Sequence, residues 1–523
     1  MRRIRPSVAW GVLLMSSLSL FPRLLVAHEL DVTSLVGEDW YGLYLNGAKA
    51  GYSVSSVNVG DDGEVRVVED ARFQVSMAGV KQDMRVYSER CYAADGNLDR
   101  INYQVVDPAG LKEFVARVEG DEMLLTTTVG GEKTEQRLPR PKESLKDILK
   151  QVELVGPDAK VGDEIQFSVF DPMYQREIEG TSRIADTETR VFNGAPTRVF
   201  LVQSAMASMG IESTSYVAED GTVLEDVIAD IITMRIEPED MAKDVNYSND
   251  VIVSNAALLD TPIANPRSRE ALRLRLRGPI KADHRFSDER QTITAVDDYF
   301  EFEGRRVSLE GFEPAHLPFD LGKADKASPW CPFRWVAGHV QEAIEQNTVG
   351  NDADSPAALR QWLEPTAFVQ CDAPPIVEKA REIVGDETDA LAVSGKLCAW
   401  VHDHVHTMFS AQLTNALEVL ERLEGDCTEY SILFIGLARA AGLPAREVAG
   451  LIYMEGAQPG FYFHQWAKVW VGKWIDVDPT FDQPLADATH IKLAEGDLFQ
   501  QARLIPIIGR LTVEVVNGQA EGK

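Results

Sequence analysis

Residues 40–60, WYGLYLNGAKAGYSVSSVNVG, alternate apolar and polar side chains on both sides of Asn46-Gly47. A period of two sends successive side chains to opposite faces of a strand, and Asn-Gly is the dipeptide that most readily adopts the paired left-handed conformations of a tight hairpin. The same period returns in DMRVYSERCY (83–92), DEIQFSVF (163–170), TRVFLVQSAM (197–206) and SYVAEDGTVLEDVIA (215–229). Residues 28–245 are therefore expected to form a β-rich N-terminal domain, a sheet or a sandwich.

The period weakens over residues 246–350, a connecting β segment in which LRLRLRG (272–278) alternates strictly and DDYFEFEGRRVSLEG (297–311) suggests a hairpin about Glu303-Gly304. Beyond residue 355 apolar residues recur at helical spacing in SPAALRQWL, PPIVEKAREIVG, DALAVSGKLCAWVHDHVHTMF and TNALEVLERLEG. Strand-like AREVAGLIYM, FYFHQWAKVWVG, KWIDVDPTF and RLTVEVV follow. Helices first and antiparallel strands after them define an α+β class for 355–523.

A formal charge of −30 over 523 residues repels nucleic acid and anionic membrane. The basic patch from Arg267 to Arg285 contains the alternating LRLRLRG, which reads as a strand with one wet face. Residues 1–27 have the form of a secretory signal: Arg2, Arg3 and Arg5, a short apolar run from Val8 to Phe21, and a cleavage site after Ala27. Export to a periplasmic or extracellular space is the expectation, with a retained anchor as the rival and no later membrane span. The five cysteines are an odd number and contain no CxxC pair, which argues against a zinc ribbon or a thioredoxin site. Cys398, His402 and His406 tempt toward a metal site on one helical face, but their apolar neighbours make this an amphipathic helix, and no metal is assigned.

The chemistry concentrates at LEGDCTEYSILFIGLARAAGLPAR. Asp426 suits an N-cap and Glu429 completes a capping box, which makes Cys427 the first helical residue; Gly442 and Pro444 end the helix. A thiol there feels the positive end of the helix dipole, while Asp426 and Glu429 oppose it, so a histidine partner is needed to hold a thiolate. His464 on an alternating strand is the candidate, with Asp476 and Asp478 on the next. A two-residue loop Gly472-Lys473 would put Asp478 on the face opposite His464, whereas an odd connection puts both on one face. Asp478 and an odd connection are the expectation. Trp466, Trp470 and Trp474 are read as packing residues.

GDCTEYSILFIGLARAAGLPAR, the HQW around His464 and WIDVDPT, in this order and separated by 37 and 14 residues, resemble the core of the bacterial transglutaminase-like superfamily over residues 380–495. The resemblance implies a papain-like thiol site with Cys427 as nucleophile, His464 as base and Asp478 as orienter. Gln465 and Lys468 stand where members often carry Ala and an acidic residue, a departure that bears on substrate preference. The function implied is an exported acyl transferase acting on peptide or amide bonds through a thioester, leaning to hydrolysis by a peptidase or amidase. Protein-glutamine transamidation is the alternative, and a non-catalytic scaffold with a retained fold is the alternative of another class. Its partner is a protein or peptide substrate, and the mechanism requires neither a metal nor an organic cofactor.

Overall fold

The computed structural model describes residues 36–516 apart from 78–79, 157, 193, 220, 246–254, 318–355 and 410–411. The signal-like residues 1–27 and Cys331 lie outside the described residues. No helix among them is long and apolar enough to cross a membrane.

Asn46 and Gly47 both take positive φ, 48° and 78°, so Leu45 pairs with Ala48 across a tight two-residue hairpin. That hairpin starts a single antiparallel sheet of fourteen strands between Gly37 and Ile236. The first eight strands form a meander in chain order; the last six form another, joined to it where Ile232–Ile236 pairs with Gly37–Leu45. Alternation sends Leu43, Val57, Val67, Val86 and Ile101 into one core. The edge strand Glu132–Pro139 has the charged sequence EKTEQRLP and is almost wholly exposed, a composition that discourages further strand pairing.

The middle segment is pinned to the C-terminal region. Ala271–Arg277 buries Leu272, Leu274 and Leu276 and turns Arg273 and Arg277 outward, and it pairs on one side with Tyr299–Arg305 and on the other with Thr512–Val515. Its arginines meet Glu303 and Glu514. The hairpin expected about Glu303-Gly304 turns instead at Asp297-Asp298. Gly304 lies within the strand, where a Cβ would come 2.7 Å from the Ala488 carbonyl, so this glycine serves a close approach and not a turn.

The C-terminal region has four principal helices: α1 (Pro374–Val384), α2 (Ala390–His404), α3 (Ala416–Arg422) and α4 (Cys427–Ala440). Every residue of α4 is buried. Such a helix needs no polar face, which explains its nearly continuous apolar run. It packs on a sheet of β1 (Ala257–Leu258), β2 (Ala445–Met454), β3 (Gly460–Trp470), β4 (Trp474–Val477) and β5 (His490–Glu495). β3 lies beside β2 along its whole length. On its other edge β1 covers only 460–461 and β4 only 467–470, which leaves 462–466 without a strand neighbour. The core of the N-terminal sheet continues into Leu451, Tyr453 and Phe463, so both regions share one interior.

Candidate active site

Helix α4 reaches the gap in the edge of β3 through Ser431. The Ser431 hydroxyl lies 2.7 Å from the Cys427 carbonyl and 3.1 Å from the Gln465 carbonyl, so the start of the helix and the residue after His464 are held by one side chain. Asp426 is the N-cap: its carboxylate accepts from the Thr428 N–H at 3.0 Å, and Glu429 Oε2 accepts from the Asp426 N–H at 2.8 Å. Burial first, and then the adjacent Asp426 charge, pushes the Glu429 carboxyl well above the usual range. A protonated Glu429 reduces the negative charge that opposes the dipole at Cys427. The helix closes through Gly442 and Leu443, whose N–H groups bond back to Arg439 and Ala438 at 2.9 Å each.

The connection between β3 and β4 is odd. Trp470 pairs with Trp474 around Val471-Gly472-Lys473, and Gly472 takes the φ of +110° that this turn requires. His464 and Asp478 consequently share a face, and His464 Nε2 lies 2.9 Å from Asp478 Oδ2. His464 Nδ1 is buried and, among the described residues, has no hydrogen-bond partner. Asp476, the other carboxylate of that strand, is used elsewhere: it accepts from Trp466 Nε1 at 2.8 Å and pairs with Arg290 at 3.3 Å.

A further imidazole completes the cluster. His490 Nε2 reaches the same Asp478 oxygen at 3.0 Å, and its Nδ1 faces Asp487 Oδ1 at 3.3 Å. The Thr480 N–H satisfies Asp478 Oδ1 at 2.9 Å. Burial works against the Asp478 charge, but the two imidazoles outweigh it and hold this carboxyl well below the usual range. Burial lowers the proton affinity of His464 despite Asp478, and His490 lowers it further. Burial also acts against a charge on His490, yet its two carboxylate partners raise it. The ligand-type atoms of His464, Asp478 and His490 lie within 4.8 Å of one another. Separations of 2.9 and 3.0 Å to one shared oxygen are hydrogen-bond lengths.

Several sequence expectations are redirected. Helix α2 ends at His404, and His406 begins a short strand, so His402 and His406 do not share a helical face. Cys398 is buried with its thiol toward the Asp478 carbonyl at 3.8 Å, and burial followed by the Asp478 charge pushes it far up. Lys468 does not face an open site: it is buried against Glu495 at 2.9 Å and Asp288 at 3.2 Å. Trp466 is fully buried, in line with packing. The Gln465 amide is buried, and neither of its side-chain polar atoms has a partner among the described residues. Sequence reasoning missed His490 and Asp487. Their only signal was a histidine on the alternating stretch THIKLAE, twelve residues past Asp478.

Residues 377–479 match the model of the transglutaminase-like superfamily. The chain carries a transglutaminase-like domain. That domain's matched span contains Cys427, His464 and Asp478 and ends before Asp487 and His490. An uncharacterized protein of Haemophilus influenzae is 27% identical over 128 residues, which are 24% of this chain and 34% of that protein, so the match spans about a third of the relative. Among solved structures, a candidate cysteine protease from Cytophaga hutchinsonii is 14% identical, with 47% of this chain and 83% of that one covered and a TM-score of 0.28. A β-barrel-like protein of a domain of unknown function from Brucella abortus is 12% identical, with 38% and 94% covered and a TM-score of 0.29. In this chain the transglutaminase-like domain follows a large β-sheet region.

Proposed function

We propose that the chain is an exported thiol enzyme that transfers acyl groups from peptide or amide bonds, with water as the favoured acceptor. The observation that carries this reading is the His464–Asp478 bond of 2.9 Å, which leaves the buried Nδ1 of His464 without a partner among the described residues, while Ser431 ties the Cys427 carbonyl to the carbonyl of the next residue, Gln465. An imidazole that donates Nε2–H to a carboxylate presents a basic Nδ1. In the proposed reaction that atom takes the Cys427 thiol proton as sulfur bonds to the substrate carbonyl carbon. The C–N bond then breaks, the proton passes from His464 to the departing amine, and a thioester remains. Water, deprotonated by His464, attacks the thioester, releases the acid and restores the thiol. The Cys427 backbone N–H supplies one oxyanion donor, and the Gln465 carboxamide is proposed as the second because it is buried with its polar atoms unpartnered.

A library of glutamine-containing peptides, offered with and without a primary amine to wild type and Cys427→Ala, tests the reading. Cleaved peptide or free ammonia from wild type alone is expected; an amine conjugate would assign transamidation instead. No product, together with alkylation of Cys427 no faster than in denatured protein, would leave the scaffold reading. Export predicts a mature chain that begins at His28, which N-terminal sequencing of the secreted protein checks.

A further inference from the structure

Both ring nitrogens of His490 face oxygens that can only accept. Nε2 points at Asp478 Oδ2 at 3.0 Å, and Nδ1 lies 3.3 Å from both the Asp487 carboxylate and the Asp487 carbonyl. A neutral imidazole has one bare nitrogen, and here that lone pair would confront an oxygen lone pair inside the protein. His464 differs: one nitrogen meets the carboxylate, and the other meets no acceptor among the described residues.

We propose that His490 is a permanent imidazolium that clamps Asp478 from behind and, by sharing its oxygen, limits how strongly Asp478 raises the basicity of His464. This makes His490 a positioning residue for the acyl-transfer site, and it rests on the reading of Cys427 and His464 given above.

The surroundings are built for that charge. Asp487 is itself fixed by Thr489 N–H and Oγ1–H at 2.7 and 2.6 Å, by Gln483 at 2.9 Å and by Arg267 at 3.1 Å. Arg290 donates to the His490 carbonyl at 2.8 Å and to the Asp487 carbonyl at 3.4 Å, and it pairs with Asp476. Trp466 presents its ring to His490 at a centroid distance of 5.1 Å, and the His464 ring lies 6.0 Å away. Asp478, Asp487 and Asp476 therefore stand near His490 with Arg267 and Arg290, and beyond them Lys468 and Lys492 pair with Asp288 and Glu495; the imidazolium adds a third cation beside the first three carboxylates. At 6.0 Å between rings, a cation on His490 disfavours protonation of His464.

Two measurements on the full chain test this. The first is the pH dependence of Cys427 alkylation by iodoacetamide, in wild type and in His490→Gln. Loss of the imidazolium should stabilise the Cys427–His464 ion pair, so the onset of thiolate reactivity should move down by about 1 pH unit. A folded His490→Gln with an unmoved onset overturns the proposal. The second uses wild type labelled with ¹³C in its histidine rings and needs no altered protein to fold. The ring signal of His490, identified by its contacts to the Trp466 ring, should remain that of a cation through pH 8; neutralisation near pH 6–7, the ordinary range of histidine, overturns the proposal. If Cys427 in wild type is as slow as in denatured protein, the acyl-transfer reading fails, and with it the positioning role. The ring signal still reports separately whether His490 is charged.

Discussion

At the residue scale the site depends on one carboxylate that serves two imidazoles. Asp478→Asn keeps the shape but offers no charge, and its NH2 must face either the two imidazoles or the Thr480 N–H. A loss of ~10³–10⁴-fold in turnover is expected, with the fold retained, as judged by activity on a responsive peptide and by thermal unfolding. Gln465→Ala should lower kcat by ~10²-fold with little change in KM if its amide meets the oxyanion, and kinetics on the same peptide separate this from lost binding. The cap before Cys427 and the pairing of His464 with Asp478 were legible because capping residues, strand alternation and spacing are local signals. His490 and Asp487 were not, because what matters about them is that both ring nitrogens end at acceptors. The twist and register of β5 decide that, and no periodicity encodes it.

At the element scale the three-residue turn Val471-Gly472-Lys473 decides whether the carboxylates after it share a face with His464. Deletion of Gly472 would shorten it to two residues and turn every side chain of β4 to the other face. Activity should vanish, and the Trp466–Asp476 bond should be lost with it, visible as a fall in Tm and a change in tryptophan fluorescence. In the N-terminal sheet, Asp226 is buried on the strand Val223–Ile228 with Ser215 Oγ 2.8 Å away, and burial pushes its carboxyl up to about 7. A raised acid binds its proton more tightly folded than unfolded, so stability is lost as pH rises from about 4 to about 7. Asp226→Asn should remove this slope and gain roughly 2–4 kcal/mol over wild type at pH 8, as read from urea unfolding at pH 5 and pH 8. Strands and helices were largely legible from their periods. The Glu303-Gly304 hairpin was misplaced because a glycine needed for close packing looks the same in sequence as one needed for a turn.

At the scale of the whole molecule the sequence suggested three successive regions, whereas the contacts interleave them. β1 and the strand Ala271–Arg277 come from the middle segment yet pair with β3 and Thr512–Val515. Asp288 and Arg290 reach beneath β3 and β5, and Asp107 of the N-terminal sheet accepts from Leu413 N–H at 2.6 Å. Long-range pairing of this kind leaves no trace in local pattern. A fragment of residues 356–523 should therefore lack cooperative unfolding and bind a dye for exposed apolar surface, as calorimetry and fluorescence would reveal. The pairing of Ala271–Arg277 with Thr512–Val515 also sets an order of events during synthesis. The N-terminal sheet can close while the ribosome is still at work, but this strand waits for a partner made more than two hundred residues later. Until then the edge of the strand that carries Leu272, Leu274 and Leu276 stands open, and the delay gives a chaperone time to hold the chain before this small sheet is complete.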